Sequence, residues 1–123
     1  MRPDVQAWLK QAERDLVSAE NCFNSADYYF SAFAAQQAVE KGLKAIYLKT
    51  HSDVWKIHDL VRLAKEVNAP QDIIEKCAVI TPVYAEVRYP ESDEMPSEKV
   101  NEAEAKNILK LAKEVMTWIK KEH

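Results

Sequence analysis

Gln37, Glu40, Lys41 and Lys44 are spaced by three and four residues, so a helix through them puts a carboxamide, a carboxylate and two ammoniums on one face. Glu40 and Lys44 hold the favourable i, i+4 order for an ion pair. Two readings of the quartet compete. It is a solvated stripe with one salt bridge, or Lys41 and Lys44 line a groove that takes an anion. Asp15 lies beside the apolar positions Ala12, Leu16 and Ala19 of the preceding segment. A carboxylate so placed needs a partner, because an unpaired buried charge is costly. Lys41, Lys44, Arg88 or a helix N-terminus can supply it.

His58 precedes Asp59 at a helix start. Imidazole titrates near neutrality and can move protons, while a capping or core-edge role needs no chemistry at all. Arg88-Tyr89-Pro90 joins a guanidinium, which forks onto phosphate or carboxylate, to a ring that stacks. It is a structural clamp or part of a site. His51 and His58 alone make a poor metal set, so neither a metal nor a cofactor is expected. Lys106, Lys110 and Lys113 share one face of the last segment, continued by Lys120 or Lys121. Such a face is ordinarily solvated, although a nucleic-acid backbone can track one.

Composition narrows the field. The 123 residues suit a single domain over 1–123, and a net charge of −3 argues against a nucleic-acid coat. Gly42 is the one glycine in the chain. A P-loop, a dinucleotide fingerprint or a glycine-rich kinase loop therefore cannot be built, and tight hairpins are disfavoured. Cys22 and Cys77 stand far apart among apolar neighbours, which points to buried free thiols in a reducing cytoplasm. The acids in the first fifteen residues do not suit a signal peptide. The apolar-rich run 28–48 is broken by Gln36, Gln37, Glu40, Lys41 and Lys44, so no membrane span is expected.

The elements that must position these residues are helical. Val5, Trp8, Leu9, Ala12, Leu16, Ala19 and Phe23 step by three and four, predicting a helix over 3–23. Ser25 or Asp27 can cap a second helix running to about residue 49. Along it Ser31, Ala35, Ala38 and Gly42 make a nearly flat side that admits a close neighbour. This helix is the middle of the bundle, or a dimer interface as well. After a polar loop at 50–57, a short helix reaches about residue 67. A fourth runs from 70 or 71 towards 83 or 87, and the acid-rich 91–98 reads as an exposed loop. Asn101 with Glu104 fits a capping box for the last helix. The predicted fold is all-α, an antiparallel up-and-down bundle of four to five helices.

Trp8 and Ala12 through Asp15-Leu16, Tyr28-Tyr29 through Ala35-Gln36-Gln37-Ala38-Val39-Glu40-Lys41, and Leu43-Lys44-Ala45 resemble the leading helices of the HEPN family. His58-Asp59-Leu60 with Leu63, then Arg88-Tyr89-Pro90, extend the resemblance over nearly the whole chain. It implies a helical bundle that pairs as a homodimer. It also implies nucleotide binding and a minimal nucleotidyltransferase as partner, in a toxin–antitoxin-like setting. Nuclease members carry an arginine followed after four to six residues by a histidine. None of Arg2, Arg14, Arg62 or Arg88 has a histidine at that spacing. The expectation is a non-catalytic module in which Lys41, Lys44, Arg88 and Tyr89 contact the ligand and Asp15 and His58 organise the pocket. One alternative is a metal-independent ribonuclease with His58 as acid/base and Arg88 stabilising phosphate charge. The other is a purely structural dimerisation module.

Overall fold

Pro3 opens α1 (Pro3–Asn24), where its missing N–H and fixed φ suit a first helical position. Arg2, just ahead, ties that end down. Its guanidinium donates to Asp4 and also to the carbonyls of Leu48 and His51. The hydrogen bonds from Arg2 hold the Asp4 carboxyl below the usual carboxylate range. The computed structural model describes residues 2–88 and 95–122, and its remaining elements are all helical. They are α2 (Tyr28–Leu48), α3 (Leu60–Glu66), α4 (Gln71–Ile80), α5 (Val83–Arg88), a 3-10 turn (Pro96–Glu98) and α6 (Glu102–Lys121). No described helix is long and apolar enough to cross a membrane.

Contacts between helix ends set the directions. Arg2 at the start of α1 reaches the end of α2, and Ser31 Oγ, near the start of α2, donates to the Ala19 carbonyl at 2.7 Å. The first two helices are therefore antiparallel. Glu20–Lys113 and Glu13–Lys120 ion pairs set α6 antiparallel to α1. Tyr28 meets Glu102, and Lys49 meets the Glu122 carbonyl, so α2 and α6 run the same way. Second and last helices of an up-and-down bundle are related like this.

Twelve of the 21 residues of α2 are buried, which makes it the middle of the bundle within one chain. Gly42 allows this. A Cβ built there would lie 2.7 Å from Ile119 Cδ1 and 3.0 Å from Met116 Sδ, so α6 occupies the space that a side chain would need. Around that contact the core closes with Leu43, Leu60, Leu63, Ile80 and Val115, all fully buried.

Two local expectations are corrected. Neither Ser25 nor Asp27 caps α2 through its side chain; Ser25 Oγ donates back to the Asn21 carbonyl. The predicted fourth helix is two helices, because Pro82 lacks an N–H and its ring opposes continuation. Thr81, left at the break, accepts from the Leu60 amide at 2.9 Å and donates to the His58 carbonyl. The break thereby fixes the segment that carries His58. The expected Asn101 cap is present, accepting from the Glu104 amide at 2.8 Å.

The α1–α2 turn places Ala26 at φ 63°, a left-handed conformation that opposes an L side chain. Ala26→Gly is expected to raise unfolding stability by about 0.5–1 kcal/mol, read from the urea midpoint. Burial pushes the Cys77 thiol up to about 12, whereas Cys22 is only half-buried. A thiol reagent at pH 8 should label Cys22 in the native protein, and Cys77 only after denaturant is added.

Candidate functional site

Glu40 is the centre of a polar cluster under the α2 surface. The quartet is not the solvated stripe that spacing alone allows: Glu40 is 4% exposed and Lys44 5%. Being buried, the carboxylate must be satisfied within the protein. Gln36 Nε2 donates to it at 3.0 Å, Lys44 Nζ at 3.0 Å, and His58 Nδ1 approaches its two oxygens at 3.0 and 3.1 Å. Gln37 Nε2 donates in turn to Gln36 Oε1 at 2.8 Å.

That network fixes the imidazole. An ionised carboxylate accepts only, so the Nδ1 of His58 carries the proton. The other nitrogen, Nε2, has no hydrogen-bond partner among the described residues, and the side chain is 47% exposed. The ring stacks on Tyr84 with centroids 4.0 Å apart and planes inclined by 13°, and Tyr84 in turn stacks on Phe33. Asp59, not His58, makes the helix cap, accepting from the Val61 and Arg62 amides. His58 is thus free to point its side chain at Glu40 while its backbone is held by Thr81. The result is an oriented imidazole, half in solvent, whose Nε2 accepts a hydrogen bond in the neutral ring and can donate one to an anion only in the doubly protonated ring.

A second pair flanks the first. Asp15 takes Lys41 as its partner, at 2.5 Å, and also accepts from Gln11 Nε2 at 2.8 Å. Trp8, one helical turn before Gln11, lies with its ring centroid 5.9 Å from Lys44 Nζ, within cation–π range. Ala7, Trp8, Gln11 and Lys41 line a depression of about 240 Å³.

The structure therefore brings together Asp15, Lys41, Lys44 and His58 along the edge of α2. Both lysines are paired with carboxylates, which makes them fixed walls rather than free anion hooks. Arg88 ends α5, four residues after Tyr84; its side chain and Tyr89 lie outside the described residues. Among the described residues no group of histidine, cysteine and carboxylate side chains could hold a metal ion. The lysine face of α6 is of mixed charge. Lys113 is paired with Glu20, and Lys106 and Lys110 share a groove with Glu20 and Glu114.

Sequence reasoning gave no role to Gln36, Thr81 or Tyr84. Gln36 had a usable signal, since it stands one turn before Glu40 on the same helical row. The other two are brought to His58 only by the packing of α4 against α3 and of α5 against α2.

The model for the HEPN domain matches residues 5–123. The chain belongs to the HEPN domain family. Among solved structures that share its fold, TT1696 from Thermus thermophilus is 27% identical, with a TM-score of 0.90 over 99% of this chain and 100% of its own. ST0689, described as an archaeal HEPN homologue, is 26% identical, with a TM-score of 0.81 over 98% of each chain. An HEPN domain protein of Thermotoga maritima, tm0613, is 18% identical over 94% of this chain and 95% of its own. Its TM-score of 0.73 speaks to fold alone. No curated protein matches.

Proposed function

We propose that this HEPN domain is a non-catalytic module that binds the phosphate of a nucleotide at His58 and works beside a minimal nucleotidyltransferase. The observation that carries the reading is the buried Glu40 carboxylate, which holds His58 by Nδ1 and leaves Nε2 at a half-exposed edge, where the imidazolium form donates to a phosphate oxygen. A side chain serving only the core would not need a buried charge to orient it. Family membership supports a nucleotide as the ligand and a nucleotidyltransferase as the partner. The missing arginine-to-histidine spacing favours binding over cleavage. Titration calorimetry with ATP and GTP tests the reading. Heat of binding is expected with the native chain and is lost in His58→Ala. Absence of heat with both nucleotides, at high protein concentration, removes it.

A metal-independent ribonuclease is the second reading, and the same carboxylate–imidazole pair favours it. An imidazole held by a carboxylate is a competent general base or acid. Incubation with cellular RNA in the presence of a chelator decides between the two. Cleavage that disappears in His58→Ala supports the ribonuclease, and intact RNA with nucleotide binding supports the module.

A further inference from the structure

Trp8 belongs to the apolar stripe of α1, yet it is only half-buried. The Lys44 ammonium lies against its ring, and Ala7, Gln11 and Lys41 leave a depression open beside it. The walls of that depression are fixed. Lys41 is tied to Asp15, and Gln11 gives its Nε2 to the same carboxylate. Gln11 Oε1 then remains as an acceptor beside an indole. A flat aromatic ring with one oriented acceptor at its edge is suited to a nucleobase, whose faces stack and whose exocyclic amine donates.

The depression and the histidine edge belong to one span. The Trp8 ring centroid is 5.9 Å from Lys44 Nζ, which is 3.0 Å from Glu40 Oε2, which is 3.1 Å from His58 Nδ1, so the indole centre and the near nitrogen of the imidazole stand no more than about 12 Å apart. A nucleoside monophosphate covers a distance of this order from the outer face of its base to its phosphate oxygens. We propose that the Trp8 depression is the base slot of a nucleoside monophosphate whose phosphate accepts a hydrogen bond from Nε2 of the His58 imidazolium. The base stacks on Trp8 and offers an amine to Gln11 Oε1, and the paired Lys41 and Lys44 form the floor between the two ends. This assignment rests on the phosphate-binding reading of His58 and adds the part of the ligand that gives selectivity.

Calorimetry with AMP and with ribose 5-phosphate separates the slot from the phosphate site. The native chain is expected to bind AMP about tenfold more tightly than ribose 5-phosphate, the gain that one stacked base provides. Ala7→Phe fills the depression from an exposed helical position. It should remove that advantage and leave ribose 5-phosphate binding and the far-ultraviolet circular dichroism unchanged. Gln11→Ala is the milder second variant and should weaken AMP alone. His58→Ala should weaken both ligands. Equal affinities for AMP and ribose 5-phosphate in the native chain overturn the slot and leave the histidine reading standing. So does an AMP affinity that Ala7→Phe does not change. Heat from neither ligand overturns both.

Discussion

Glu40→Ala is expected to lower unfolding stability by about 3–5 kcal/mol, the usual result of removing one partner from a buried ion pair. The size follows from what stays behind. Lys44 keeps an ammonium that is 5% exposed and, among the described residues, retains only the Trp8 ring face, while Gln36 loses its acceptor. Solvent screening does little to soften this, because both side chains of the pair are 6% exposed. Urea unfolding followed by circular dichroism measures the loss. The double variant Glu40→Leu with Lys44→Met should recover most of it, since removing both charges removes the desolvation cost together with the attraction. The proposed nucleotide binding should not return with stability, because His58 then has no carboxylate to orient it. A loss below about 1 kcal/mol for Glu40→Ala would mean that the pair behaves as an exposed one in solution.

Gly42→Leu is expected to cost about 2–3 kcal/mol through overpacking, in spite of the better helix propensity of leucine. The obstruction is specific. The first carbon added already lies 2.7 Å from Ile119 Cδ1 and 3.0 Å from Met116 Sδ, and both residues are buried. Gly42→Ala should fall near zero, because alanine gains about 1 kcal/mol of helix propensity and the nearest atom is a terminal methyl that can turn aside. Ile119→Val deletes that methyl. The pair Gly42→Ala with Ile119→Val should therefore be more stable than the sum of the single changes implies, a coupling that thermal unfolding of the four proteins measures. Strict additivity would place the α2–α6 contact elsewhere along the helices.

Helix positions were legible because they depend on neighbours three and four residues away, within one segment. The apolar stripes of α1 and α6 and the small-residue side of α2 needed no tertiary information. Proline set the start of α1 in the way its sequence position indicates, and Asn101 capped α6. The split between α4 and α5 was also available from Pro82, whose effect on a helix is local, but the apolar spacing continues past it and hides the break. The candidate site residues depend on contacts between distant segments. The position of Asp15 on its helix calls for a cationic partner and leaves several possible, and packing selects Lys41. The residue type of His58 marks it as able to transfer protons, but nothing near it in the chain marks Glu40, eighteen residues away, as its anchor.

The single glycine and the helical spacing of Gln37, Glu40, Lys41 and Lys44 by themselves excluded loop-type phosphate sites and placed the polar groups on one edge of the central helix. Only tertiary structure decided whether that edge is wet. A helical row fixes which side chains share a face, but burial depends on what the other helices lay over it. Here α1 covers Lys44 with Trp8, and the segment clamped by Thr81 brings His58 down onto Glu40. Once water is displaced, a surface salt bridge of little energetic consequence becomes a buried charge that holds a histidine in one orientation.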